Sequence, residues 1–185
     1  MAHTRRIQII LVVEADPISR TDAPYYSWIL KNHFTRYVSS GVQSDLKIVY
    51  DFVYMAGYGN YRSSRVKREI RSFQSSFPKG DTYVVYCLDY DNKGNDTKKR
   101  LSEIEEYCAS LDYSFCLSYP EIEHVLCNAR NGVSKVDAVA IFKRHYPKKN
   151  EIDEASLFCE RETLASKKGQ TNFGRAILAI LKKVA

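Results

Sequence analysis

Apolar and polar positions change period repeatedly along the first two thirds of the chain, which predicts strands separated by helices. Nearly continuous apolar runs rich in β-branched and aromatic residues are typical of buried strands. They predict four strands, at residues 6–13, 46–54, 82–88 and 113–117. Between them apolar residues recur at helical spacing, which predicts helices at residues 23–38, 63–77 and 97–111. This alternation is typical of a mainly parallel sheet with helices on both faces, an α/β fold.

Beyond residue 120 the pattern is mostly helical. The predicted helices there cover residues 121–128, 135–146, 154–166 and 172–183. We find no internal repeat, low-complexity segment or linker, and 185 residues are enough for one domain with its own core. The sequence therefore predicts a single domain, residues 1–185. Its α/β core would be residues 1–120, and residues 121–185 would form a mostly helical C-terminal extension.

Composition narrows the class of protein. The chain is 44% hydrophobic and 27% charged, which is ordinary for a soluble domain. It has no apolar run of about 18 residues, so we expect no membrane span. Its net charge of +6 suits a polyanionic partner such as nucleic acid, although a solvated surface explains it as well. Five cysteines without a C-x-x-C pair favour buried thiols in a reducing, cytoplasmic location over disulfides or a zinc site.

Acidic residues follow two of the predicted strands. Asp89 and Asp91 are two apart at the end of the third strand, so their side chains would point to the same side. Glu14 follows the first strand. Ligands of open α/β sheets bind at the carboxyl ends of the strands, and hard divalent cations prefer oxygen ligands. The pattern predicts an acidic metal site at this edge.

A second polar segment, residues 118–123, follows the fourth strand. A structural interpretation explains Ser118 as a helix cap, Pro120 as the strand-to-helix transition, and Glu121 as an acid at a helix N-terminus. It explains Glu123 less well, because this glutamate stands among apolar residues.

The main basic feature is a helix that follows a glycine-containing turn at residues 57–60. Two interpretations stay open: a solvated helix surface, or a contact to a phosphate backbone with Tyr58 and Tyr61 interleaved. The cations concerned are Arg62, Arg65, Lys67, Arg68 and Arg71.

Four segments together resemble Toprim domains, most of all the small RloB-like and OLD-type Toprim proteins of prokaryotic defence systems. An apolar strand ending in Glu is matched by Val12-Val13-Glu14, and the strand ending in Asp-x-Asp by Leu88-Asp89-Tyr90-Asp91. The family's Thr-Glu-x-x-Tyr-Phe and Ser-x-Pro-x-x-Glu segments are similar to residues 21–26 and 118–123. The chain departs from the family at Ala15, where glycine is usual.

This resemblance implies a Toprim-like fold and a nuclease that depends on Mg²⁺ or Mn²⁺ and acts in anti-phage defence, beside a partner ATPase or another subunit. It implies that Asp89 and Asp91 hold metal and that Glu14 binds metal or acts as general acid or base. Further implied roles are a second metal shell from Glu123 and Ser118, joined by Asp22, and stabilisation of developing charge by Lys148.

Two alternatives to a nuclease remain open on the sequence. One is a catalytically degenerate Toprim module that binds nucleic acid or a partner subunit. The other is an enzyme that uses the same acidic edge on a small phosphoester.

Overall fold

The computed structural model describes residues 5–38, 46–90, 95–127, 134–144, 147–161, 164 and 169–184. Within these residues, five strands form a mostly parallel sheet. They are β1 (Arg5–Val13), β2 (Leu46–Tyr54), β3 (Asp81–Asp89), β4 (Ser114–Tyr119) and β5 (Gln170–Thr171). The strand order is β2-β1-β3-β4-β5, with β1 and β2 parallel and β5 antiparallel to β4. The predicted α/β class and mainly parallel sheet are confirmed.

Helices separate these strands in sequence. They are α1 (Ala23–His33), α2 (Thr35–Val38), α3 (Ser64–Ser76), α4 (Asn95–Ser110), α5 (Ile122–Leu126), α6 (Lys135–Arg144), α7 (Glu154–Leu157) and α8 (Phe173–Val184). Short 3-10 turns lie at Tyr58–Asn60 and Lys149–Glu151. No helix in the described part of the chain is long and apolar enough to cross a membrane.

The chain divides into two compact units, Met1–Tyr86 and Cys87–Ala185, and the boundary falls within β3. In the first unit, β1 supplies the centre of the core. Every residue from Ile7 to Val13 is buried, which explains why the strand reads as an almost unbroken apolar run.

One polar side chain interrupts that run. Gln8 is only 2% exposed. Its Nε2 donates a hydrogen bond to Asp51 of β2 (2.9 Å), and its Oε1 accepts one from the Thr82 hydroxyl of β3 (3.0 Å). Burying an amide in a core is costly unless its donors and acceptors are paired, and these two contacts provide that pairing.

The second unit packs α8 beside β4 through buried polar contacts as well as apolar ones. Phe173 and Ile177 of α8 are fully buried. The Asn172 side chain accepts a hydrogen bond from the Leu117 amide (2.7 Å), and the Thr171 hydroxyl donates to the Leu117 carbonyl (2.8 Å). The start of α8 is thus tied to β4.

The structure corrects several predicted elements. The helix predicted at residues 23–38 is interrupted at Phe34, where the Thr35 hydroxyl donates to the Lys31 carbonyl. Side-chain bonding of this kind competes with helical bonds. Among the described residues, the helix predicted at 154–166 is α-helical only as α7, since Cys159 N–H donates to the Thr171 carbonyl (3.1 Å). The two-residue strand β5 is absent from the prediction of about four strands.

Candidate active site

In the first unit, Glu14 stands directly after β1 on a loop that is fastened to the end of β2. Its carbonyl accepts a hydrogen bond from the Gly57 amide (2.8 Å), and the Val13 carbonyl accepts one from Met55 (2.8 Å). Gly57 has φ +95°, a backbone conformation that suits glycine. These bonds fix the backbone that carries Glu14, whose side chain is half-buried.

Asp22 supports the same loop. It is 6% exposed, and its Oδ2 accepts a hydrogen bond from the amide of Ala15 (2.9 Å), the residue next to Glu14. It occupies the N-cap position of α1, but its carbonyl, and not its carboxylate, accepts hydrogen bonds from the helix amides of Tyr25 and Tyr26. The carboxylate therefore positions the Glu14 loop, and its predicted metal role stays a prediction.

Two arginines pack around Tyr54 at the end of β2. The Arg20 guanidinium lies 5.7 Å from the centre of the Tyr54 ring. Burial raises the pKa of Tyr54, Arg20 acts against this rise, and Asp22 adds to it. Arg65 of α3 donates to the carbonyls of Tyr54 (2.7 Å) and Met55 (3.1 Å) and to Glu69 (2.9 Å). Arg65 is therefore a structural link between α3 and β2.

The other predicted cations of this helix face solvent. Lys67, Arg68 and Arg71 are exposed on α3, which starts at the cap Ser63. Exposed Arg62 precedes the helix, and its guanidinium lies 5.4 Å from the Tyr61 ring centre. The basic surface, as we call Arg62, Lys67, Arg68 and Arg71, is available to an anionic partner.

In the second unit, the end of β3 carries Asp89 to the beginning of α5. Its Oδ1 accepts a hydrogen bond from the Ile122 amide (3.0 Å), and the next residue along the chain, Tyr90, donates its amide to the Ser118 carbonyl (2.8 Å). Asp89 is half-buried. Asp91, its predicted companion, lies outside the described residues.

Glu123 lies on α5 and directly follows Ile122, whose amide donates the hydrogen bond to Asp89. It is fully buried, with 0% exposure. An ionised carboxylate is costly to bury unless positive charge or hydrogen bonds compensate it. The sequence singled out Glu123 because it stands among apolar residues, and its burial agrees with that pattern.

Ser118 does not cap α5, contrary to the structural interpretation of its sequence. It is the penultimate residue of β4 and is fully buried, and its hydroxyl donates to the Thr171 hydroxyl (3.2 Å). The residue at the cap position is Glu121, whose carboxylate lies 3.5 Å from His124 Nδ1. Strand β5, which the sequence analysis missed, provides the partner of Ser118. The only signal for it is the polar pair Thr171-Asn172 ahead of an amphipathic helix.

Lys148 is exposed at the start of the 3-10 turn Lys149–Glu151. Its backbone amide donates to the Glu151 carboxylate (3.0 Å). This contact explains the local turn and leaves the predicted role of the ammonium group a prediction.

None of the five cysteines, all of which lie in the described part of the chain, forms a disulfide, and all but Cys127 are buried. Burial raises the pKa of Cys108 to about 12 and that of half-buried Cys127 to about 11. Glu123 also raises the pKa of Cys127. These two thiols are therefore neutral near pH 7, which does not favour thiolate chemistry there.

Asp89 and Glu123 suit a hard divalent cation in their chemistry, since both offer carboxylate oxygens and α5 links them. Among the described residues, no group of three or more histidine, cysteine, aspartate or glutamate side chains is close enough to hold a metal. Of the metal ligands that the resemblance implies, the described part of the second unit contains Asp89, Glu123 and Ser118, and the Ser118 hydroxyl donates to Thr171.

Comparison of the chain with protein-family models, with curated proteins and with solved structures gave no match.

Proposed function

We propose that this protein is a metal-dependent nuclease that hydrolyses phosphodiester bonds of DNA or RNA. The observation that supports the proposal most is the pair of carboxylates at the start of α5. Asp89 accepts a hydrogen bond from the amide of Ile122, the first residue of that helix. The second residue of the helix is Glu123, which is fully buried.

The burial of Glu123 supplies the electrostatic reason. An ionised carboxylate at 0% exposure is costly unless positive charge compensates it. A divalent cation held by Glu123 and Asp89 would offset this cost. The hydrogen bond from Ile122 holds one Asp89 oxygen in place, so the carboxylate is oriented before any metal binds.

A bound Mg²⁺ or Mn²⁺ supplies activation of the attacking water and stabilisation of charge on the phosphate oxygens. The protein residues orient the reacting groups and transfer protons. In the proposal Asp89 and Glu123 bind metal, and Asp91 shares that role through the resemblance. Glu14, of the first unit, keeps its implied role as ligand or general acid or base, with Asp22 fixing its loop through Ala15.

Metal removal provides the direct test. Purified protein is incubated with labelled single- and double-stranded DNA and with RNA, including tRNA, in EDTA, Mg²⁺ or Mn²⁺. We expect cleavage of at least one substrate class with metal and none in EDTA, because the metal generates the nucleophile. Cleavage that persists in EDTA contradicts the proposal.

The basic surface on α3 is expected to bind the phosphate backbone. Replacing both Lys67 and Arg68 with alanine should weaken nucleic-acid binding and reduce the slope of log K against log salt by about 1 to 2, since each phosphate contact contributes about 0.9. Fluorescence anisotropy at several salt concentrations measures both quantities.

The matched control removes two exposed lysines of α8, Lys182 and Lys183, and so changes the net charge equally. An equal loss of affinity in this control would show that binding depends only on the total charge. It would then exclude α3 as the nucleic-acid interface.

Binding without cleavage at any divalent ion would favour the degenerate module instead. The role in anti-phage defence, the partner ATPase and the cytoplasmic location stay predictions, and a pull-down from phage-infected cells would test the partner. Turnover of a small phosphoester without nucleic-acid affinity would favour the third possibility.

A further inference from the structure

Among the described residues, β2 is a terminal strand of the sheet, and its own sequence has few of the features that usually protect such an edge. In the strand order of the described residues it is terminal, with β1 as its neighbour. It is nine residues long, contains no proline, and has Lys47 and Asp51 as its only charged residues. Edge strands of soluble proteins are usually short, interrupted, or richer in charge, because their outward backbone groups recruit other strands.

We propose that this edge pairs with the same edge of a second copy of the chain, antiparallel and centred on Val49. A two-fold axis perpendicular to the sheet keeps each face of the strand on the same side in both copies. It therefore places residue i opposite residue 98 − i, so that like faces meet.

This register is self-complementary in charge. It places Lys47 of one copy opposite Asp51 of the other, and does so twice because of the symmetry. Directly opposed residues of antiparallel strands lie about 5 Å apart at their Cβ atoms, close enough for an ion pair. Moving the axis by one residue in either direction separates Lys47 from Asp51, so the charges select one register.

The uncharged residues of β2 are also compatible with the register centred on Val49. On the other face of β2, Leu46 would oppose Phe52, and Ile48 would oppose Tyr50 of the second copy. The rings of Tyr50, Phe52 and Tyr54 already form a ladder, with centroids 6.0 and 6.2 Å apart, and Tyr50 and Phe52 are half-buried. Aromatic–aliphatic cross-strand pairs are favourable, and pairing would cover these rings further.

Charge reversal tests the geometry. Multi-angle light scattering should show a dimer for the unmodified protein. Lys47→Glu and Asp51→Lys, made separately, should each weaken dimerisation by about 10- to 100-fold, since each sets like charges opposite each other at two positions. Far-UV circular dichroism and thermal melting check that both variants fold, because Asp51 also accepts from Gln8.

Mixing the two variants is the decisive step. In a mixed pair, position 47 of the Lys47→Glu chain faces position 51 of the Asp51→Lys chain, so opposite charges meet there. The unmodified Asp51 and Lys47 meet at the symmetry-related position. Heterodimers should therefore form in preference to the weakened homodimer of either variant, and native mass spectrometry distinguishes them.

Three results would overturn the proposal. One is an unmodified protein that is monomeric at about 100 μM, a concentration well above the Kd of a stable dimer. The second is a dimer that neither reversal weakens, and the third is a pair of variants that fail to associate when mixed. None of these results depends on nuclease activity.

Discussion

Asp89→Asn is expected to reduce metal-dependent cleavage by about 100- to 1000-fold, the range found when one strong electrostatic contact to a reacting centre is removed. Asparagine keeps an oxygen that can accept the Ile122 amide, so the link from β3 to α5 should survive. It removes the negative charge that a metal needs. Initial cleavage rates with saturating Mg²⁺ or Mn²⁺ measure the effect, and an unchanged melting temperature separates it from unfolding.

The matched control is Asp112→Asn. Asp112 lies in the same unit and is 88% exposed in its side chain, and it pairs with Lys183 only at the surface. Surface ion pairs contribute little, and the positive φ of Asp112 (+53°) is one that asparagine tolerates well. Full activity in this control beside a strong loss at Asp89 would support a metal ligand. Full activity in Asp89→Asn as well would exclude Asp89 from the chemistry.

Thr171→Val should be the most destabilising of the substitutions we propose. The Thr171 hydroxyl is fully buried and takes part in three hydrogen bonds: it donates to the Leu117 carbonyl, and it accepts from the Phe173 amide (3.2 Å) and the Ser118 hydroxyl. Valine has nearly the same shape but leaves three buried polar groups without this partner. We expect a loss of about 3 kcal/mol or more in the free energy of unfolding, at about 1 kcal/mol or more for each group.

Thr171→Ser separates the hydroxyl from the methyl group. Serine keeps the hydrogen bonds and deletes one methyl, so its cost should be about 1 kcal/mol. Urea denaturation of the three proteins measures both values. Equal losses in the two variants would mean that packing, and not the hydroxyl, stabilises β5 against β4.

The elements that the sequence predicted well are those with a sustained apolar pattern of their own. Strands β1, β2 and β3 are long apolar runs, and their predicted bounds differ from the observed ones by at most one residue at each end. Helices α3 and α8 carry clear apolar stripes and a recognisable start, such as Ser63. In these segments local pattern and tertiary environment favour the same structure.

Predictions failed where a long-range contact decides the local structure. The region after α7 has helical spacing, but Cys159 donates to Thr171 instead of continuing the helix. Ser118 has the sequence context of a cap, yet β5 buries its hydroxyl. Two-residue β5 has no periodicity of its own, so its partner β4 alone defines it.

The candidate site likewise contains residues that the sequence could identify and residues whose roles it could not show. The sequence could identify Glu14, Asp89 and Glu123, because an acid at a strand end or among apolar residues departs from the local pattern. It could not show that Asp22 bonds the Ala15 amide or that Arg65 binds two carbonyls of the chain. Those roles depend on which backbone groups approach in space, and side-chain type does not encode them.

The hydrogen bonds that join the side chains of Asp51, Gln8 and Thr82 also fix the register of the first three strands. Sliding β2 by one residue against β1 would turn Asp51 to the opposite face and leave the Gln8 amide in an apolar core. Apolar neighbours alone would tolerate such a shift far better, since one branched aliphatic residue replaces another along β1. The observed register ends with Val13 opposite Tyr54. A mid-strand glutamine, remote from Glu14, thus determines which residues stand beside the loop that Glu14 begins.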